Sequence, residues 1–163
     1  NLVFCDSSKL EIQDRLQNGK TCKIVITTRK FKVSEHSILT NEDSSSIKKI
    51  DNQIPFGGQY GIPSIEIEKV EIKVDDFTLN IPKEAYRNFY CPVICDNYRF
   101  HRQIEAYESL NGRYIYLYIY GGTAAGTYFT KLIFDQKEYI TKITTDYYPL
   151  SIHGSFRESF FGF

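Results

Sequence analysis

Three features of this chain predict an α+β fold that is mainly antiparallel β. Tyr114, Tyr116, Tyr118 and Tyr120 alternate with Ile115, Leu117 and Ile119, and alternation with a period of two places the two sets on opposite faces of a strand. Short β-rich runs are joined by tight-turn pairs such as Asp75-Asp76 and Asn111-Gly112, so antiparallel pairing is the default. The 13 Tyr and 12 Phe, with no Trp and no Met, favour strands over helices. With 163 residues the chain reads as a single domain, 1–163, large enough to bury a core without a metal or a disulfide.

The elements follow in order. Ser8-Lys9-Leu10-Glu11 matches the S-x-x-E capping box, which predicts a short helix over 9–18 with Gly19 placed to end it. Cys22–Thr28 reads as a buried strand, and Phe31, Val33 and Leu39 share a phase that predicts a second strand over Phe31–Leu39. Thr40–Ser46 is a polar loop, read as flexible. Gly57–Pro63 is a glycine-rich connection to a strand over Ser64–Val74. There Ile65 and Ile67 share one parity and Val70, Ile72 and Val74 the other, so a bulge is expected at Glu68-Lys69. Asp75-Asp76 turns into Phe77–Ile81. Pro82 suits the first position of a second short helix, 83–89. Tyr98–Tyr107 alternates, and Asn111-Gly112 leads into the tyrosine strand. Gly121–Thr127 is a hairpin loop into Tyr128–Phe134, and Asp135-Gln136-Lys137 turns into Glu138–Thr145, ahead of a Phe-rich segment at Phe156–Phe163. The sum is seven to nine short strands, as a curved sheet, sandwich or partial barrel, with two helices.

Lys+Arg and Asp+Glu both number 20, so no basic excess points to nucleic acid. Tyr98-Arg99-Phe100-His101-Arg102 interleaves cations with aromatics but reads as sheet packing. The longest apolar run, Tyr114–Tyr120, falls far short of the roughly 18 residues of a membrane-spanning helix. The chain opens on Asn1 and holds no Met, as a removed secretion signal, a lipoprotein leader or a trimmed boundary would leave it. A periplasmic, envelope-associated or secreted location is therefore expected.

Catalytic signatures are lacking. Gly121–Gly126 has the glycine spacing of a P-loop, but Thr127 stands where Lys is needed and a strand follows. No nucleophile elbow, H-E-x-x-H or C-x-x-C pattern occurs. His36, His101 and His153 are isolated, and Glu66/Glu68, Asp75/Asp76 and Glu105/Glu108 read as solvated charge. Ser155 lacks a nucleophile motif. No metal site or cofactor is expected. Cys5, Cys22, Cys91 and Cys95 permit two bridges in three connectivities. Local pairing, Cys5–Cys22 and Cys91–Cys95, is the simplest, with free buried thiols the alternative. The tyrosine face, Tyr114, Tyr116, Tyr118 and Tyr120, is the candidate binding surface, able to form an aromatic platform for a sugar or a protein. A covering layer is the competing reading, and the one preferred for a domain of this size.

The order of Gly57–Pro63, Val74–Phe77, Ile81–Tyr86, Tyr120–Tyr128 and Leu132–Asp135 resembles a pattern among uncharacterised bacterial proteins, often exported, over residues 50–135. Such relatives often carry an acid after the Gly-Gly pair, where Thr123 stands here. The resemblance implies bacterial origin and transfers no catalytic residue. The reading is thus a non-catalytic interaction module with one protein partner, such as an exported inhibitor or toxin-immunity protein. A carbohydrate-binding domain using the tyrosine face comes second, and a hydrolase with residues converging from separate strands third.

Overall fold

The computed structural model describes residues 1–42, 46–95, 104–123 and 126–145. Its regular elements are eleven strands: β1 (Leu2–Cys5), β2 (Lys9–Arg15), β3 (Thr21–Lys30), β4 (Ile38–Thr40), β5 (Ile47–Ile50), β6 (Ile65–Val74), β7 (Phe77–Thr78), β8 (Ile104–Glu108), β9 (Tyr114–Gly121), β10 (Tyr128–Asp135) and β11 (Tyr139–Thr145). They form an antiparallel five-stranded sheet, β1-β2-β3-β6-β7, a four-stranded sheet, β11-β10-β9-β8, and the small β4-β5 pair. Leu10, Ile12, Ile24, Ile26, Ile67, Val70 and Ile72 of the first sheet share one core with Ile115, Leu117, Ile119, Tyr128, Leu132 and Phe134 of the second. Burial of such side chains contributes about 1.5–3 kcal/mol each, and this shared layer makes the molecule a β-sandwich.

The predicted helices are not present, and the α+β expectation is corrected to an all-β fold. Residues 9–15 are β2, where Leu10 and Ile12 are buried and Glu11 and Gln13 face outward. That period of two overrides the capping box, because Asp6 takes the free N–H groups of Ser8 and Lys9 first (both 2.7 Å). Gly19, expected to end that helix, instead lies at φ 83 in the turn of the β2–β3 hairpin. At 83–89 only Lys83–Ala85 forms a single 3-10 turn. Phe89 and Tyr90 leave it to make bridges with Phe56 and Glu66, so too few residues remain to repay helix nucleation. Lys142 of β11 clamps the turn, its Nζ donating to the carbonyls of Glu84 and Ala85 (3.1 Å each) and to Asn88 Oδ1 (2.8 Å).

The expected strand at Phe31–Leu39 is also corrected. Val33–Glu35 is a 3-10 turn and strand pairing begins only at Ile38, with Val33 and Leu39 exposed. The β6 bulge is present: Thr27 faces Lys69 and Thr28 faces Ile67, leaving Glu68 without a partner in the ladder. Ile67 and Val70 are consequently both buried. The tight turns at Asp75-Asp76, Asn111-Gly112 and Asp135–Lys137 join the strands as read. Tyr98–His101, Ser155 and Phe156–Phe163 lie outside the described residues, as do His153 and part of the Thr40–Ser46 loop.

Cys5 is bonded to Cys95, and Cys22 and Cys91 are free thiols. The simplest, local pairing is therefore not the one formed. Cys5 lies opposite Leu10, which faces Ile26, whereas Cys22 sits four residues further along β3. At about 3.3 Å per residue that offset alone exceeds the reach of a disulfide. Cys91 turns the chain at φ 50, after which Pro92 bridges Gly121 and the Val93 N–H donates to Tyr120 O (3.0 Å). This carries Cys95 away from Cys91 and toward β1.

Candidate binding surface

The tyrosine strand lies where alternation puts it. Ile115, Leu117 and Ile119 point into the core, so the four tyrosines are on the outer face of the second sheet. That face is graded. Tyr114 and Tyr116 are half-buried with stacked rings, while Tyr118 and Tyr120 are only 7% and 8% exposed. Lys131 of β10, opposite Tyr118, lays its ammonium 3.9 Å from the Tyr116 ring centre and 5.7 Å from that of Tyr118. Phe129 packs on Tyr120. A cation over an aromatic face takes the position a stacked sugar would need. Burial pushes the Tyr118 phenol well above its ordinary range, and it lowers the Lys131 ammonium.

A second grouping was not legible in the sequence. His36 is almost enclosed, its ring stacked on Phe31 at 4.3 Å. Its Nδ1 is 2.7 Å from Asp51 Oδ2, and its Nε2 is 3.1 Å from the buried Glu66 Oε2. Arg29 Nε lies 2.8 Å from Glu66 Oε1, and Arg29 Nη2 2.8 Å from Glu35. Burial would raise the Asp51 carboxyl, but hydrogen bonds from His36 and the Ser37 N–H outweigh it and hold it below its usual value. Glu66 is therefore buried, not solvent-facing as expected: Tyr90 pairs over it and the Arg29 guanidinium lies against it. Asp51 holds the Nδ1 of His36, while Nε2 is buried beside Glu66 without a hydrogen bond to the described residues, and the chain segments brought together are β3, β6, the 3-10 turn and the turn after β5. The arrangement fastens a hairpin and turns the imidazole inward. One signal for it exists: Asp51 and Asn52, at φ 49 and 63, form a two-residue turn between Ile50 and Gln53, which is the hairpin preference of that pair.

A third grouping unites the two glycine motifs. Gly57 (φ 83) sits where a Cβ would collide with the Tyr90 carbonyl oxygen and come within 3.0 Å of Gly122 Cα. Gly126 lies against Gln59 and Tyr60, and Gly58 against Pro63 and Pro55. Tyr128, fully buried, fills the floor beside Gly121, stacked on Phe89. Hydrogen bonds fasten the first part of this loop, residues 54–59. Phe56 N donates to Asn88 O (2.9 Å), Tyr90 N to Phe56 O (2.8 Å), Asn88 Nδ2 to Ile54 O (3.2 Å), and Ile47 N to Gln59 O (2.8 Å). The Gly57 N–H is taken by Gln59 Oε1 (2.9 Å).

Ile54, Tyr60 and Ile62 of this loop are 63%, 65% and 56% exposed. Pro55 and Pro63, which flank two of them, both pack on Gly58, so the two ends of this apolar stretch, the pole, lie close together. From Asn52 to Ile65 the chain has no charged residue, nor from Tyr114 to Thr130, although a quarter of its residues are charged. The outer face of the first sheet is the opposite, with Glu11 between Lys9 and Lys23 and Glu71 between Lys69 and Lys73. Glycine spacing marked these segments in the sequence as turns. That they meet depends on the sandwich, which puts Tyr90–Pro92 between them.

Among the described residues no group of three or more His, Cys, Asp or Glu could hold a metal ion. No helix there is long and apolar enough to cross a membrane. Comparison with protein-family models, curated proteins and solved structures finds no match to this chain.

Proposed function

We propose that the protein is a non-catalytic protein-binding module whose contact surface is the Ile54–Tyr60–Ile62 pole. The observation that carries this reading is the exposure of three large apolar side chains on one uncharged loop, whose first part is hydrogen-bonded in place. Exposed apolar clusters in soluble domains mark interaction sites, interface centres are depleted in charge and rich in tyrosine, and a loop held in place before binding loses little entropy on contact. The Cys5–Cys95 bridge supports an oxidising compartment, consistent with the exported inhibitor or toxin-immunity role expected from the sequence.

The test is capture from material of the source cell by the immobilised protein, beside the variant Ile54→Ser/Tyr60→Ser/Ile62→Ser with an unchanged circular dichroism spectrum. The reading expects one stoichiometric protein on the wild type and at least a tenfold loss on the variant, since central apolar anchors contribute about 2 kcal/mol or more each. Equal retention by both would remove the pole as the contact surface.

A further inference from the structure

We infer that the Cys5–Cys95 bridge is a redox latch on the edge strand β1: a dithiol reductant opens it in the folded protein and releases β1 from β2, while the sandwich behind it stands. The inference is independent of the protein-binding reading above. Apart from the bridge, β1 has little to hold it. Leu2 pairs with Ile12, Phe4 with Glu11 and Cys5 with Leu10, and the register is broken between the first two pairs. Leu2, Val3 and Phe4 are exposed, whereas Cys5 packs against the shared core. Edge pairing this short is marginal in water and opens locally unless it is cross-linked.

The other end of the bridge is firmly placed. Pro92 bridges Gly121, the Val93 N–H donates to Tyr120 O (3.0 Å) and Ile94 is buried, so β9 of the second sheet carries Cys95. The bridge therefore ties the edge of one sheet to the body of the other. Cys95 itself is exposed, so a thiolate reaches the bridge without prior unfolding. That thiolate attacks the Cys95 sulfur, the S–S bond breaks, and Cys5 leaves as a thiolate that takes a proton. The second thiol of the reductant then closes on the mixed disulfide and frees Cys95. Two electrons and two protons pass to the protein, and the dithiol becomes a cyclic disulfide.

What the latch controls is the outer edge of β2. Ser8 O accepts from the Thr28 N–H and the Leu16 N–H donates to Lys20 O, whereas the Gln13 N–H donates to Asn1 O (2.9 Å) and Lys9 O accepts from the Asp6 N–H. Even-numbered residues of β2 thus turn their backbone groups to β3 and odd-numbered ones to β1. Loss of β1 leaves the odd set as an open strand edge, a template for an added strand, with Leu10 and Ile12 still paired to Ile26 and Ile24.

Amide hydrogen exchange read by NMR, before and after dithiothreitol, tests this on the intact protein, with alkylation of the folded chain reporting whether the bridge has opened. Alkylation after reduction is expected to label Cys5 and Cys95. Residues 2–5 and Gln13 should lose protection, while Leu10 and Ile12 stay at least about tenfold better protected than Gln13, as local opening requires. Cys5→Ser/Cys95→Ser should show that same pattern with and without the reductant. A bridge that dithiothreitol leaves closed in the folded protein overturns the inference. So does a Gln13 amide that stays as protected as Ile12 after reduction, because β1 has then remained in place. Loss of protection at Leu10 and Ile12 together with Gln13, or a double variant that does not fold, overturns it as well, because the sandwich then depends on the bridge as a whole.

Discussion

Gly57 shows how much of this molecule turns on single atoms. Its φ of 83 is shared by Gly19, yet a Cβ at Gly19 meets nothing within 4 Å, whereas at Gly57 it meets backbone. Gly19→Ala should therefore cost about 1 kcal/mol, the left-handed backbone term alone. Gly57→Ala should cost about 2–4 kcal/mol by adding steric overlap that neither Tyr90 nor Gly122 can relieve. Urea midpoints of the two variants check this, and equal losses would mean that the two loops are not in close contact. Acid sensitivity belongs to the same scale. Backbone N–H groups hold the Asp6 and Asp135 carboxyls below their ordinary 3.8, and His36 and Ser37 do so for Asp51 against its burial. A carboxyl depressed in the folded state adds stability that is complete above its unfolded value and lost as pH falls through the folded one. Stability should thus decline between about pH 5 and pH 2, and Asp51→Asn should flatten part of that decline. A pH-independent urea midpoint over this range would contradict the carboxylate assignments.

At the scale of elements, the bulge at Glu68 turns β6 so that Ile67 and Val70 both enter the core and Glu66 faces Arg29 and His36. Deleting Glu68 alone would leave a continuous pleat with Ile67 and Val70 still on one face, whereas deleting Glu68 and Lys69 together would send one set of these residues to the wrong face. The expected cost is about 2–4 kcal/mol, the burial of at least one large aliphatic side chain, read as a lower urea midpoint. The bulge was legible because its phase slip is local, as were the β9 face and the tight turns. The helix at 9–18 was misread because two local signals disagreed. S-x-x-E spoke for a helix and the Leu10/Ile12 alternation for a strand, and pairing with β3 decided between them. Residues 31–39 failed for a different reason. Phe31, Val33 and Leu39 share a parity, but the residue that the fold encloses is His36, held by Asp51 from another hairpin. The pole lay further from view: Gly57–Pro63 and Gly121–Gly126 looked like separate turns, and only the packing of two sheets places one against the other.

For the molecule as a whole, the cysteines give a direct check of the chain path. Under denaturing, non-reducing conditions alkylation should modify two thiols, Cys22 and Cys91, and leave Cys5 and Cys95 joined. In the folded protein Cys91 should react first, because Cys22 is buried and its thiol is pushed up to about 11. Reducing the Cys5–Cys95 bridge, which closes a long loop, should lower stability by about 2–5 kcal/mol. The two outer faces of the sandwich divide the remaining work. One carries paired charges toward solvent, the other an aromatic layer organised around Lys131, and the proposed contact surface is the apolar loop at residues 54–62. Hydrogen exchange of the protein alone and in complex with the protein it captures from its source cell tests that assignment most directly. The account predicts slower exchange in the complex confined to residues 54–62, with Lys9–Arg15 and Lys69–Lys73 unchanged. Protection along Tyr114–Tyr120 with none at 54–62 would contradict it and return the contact surface to the tyrosine strand.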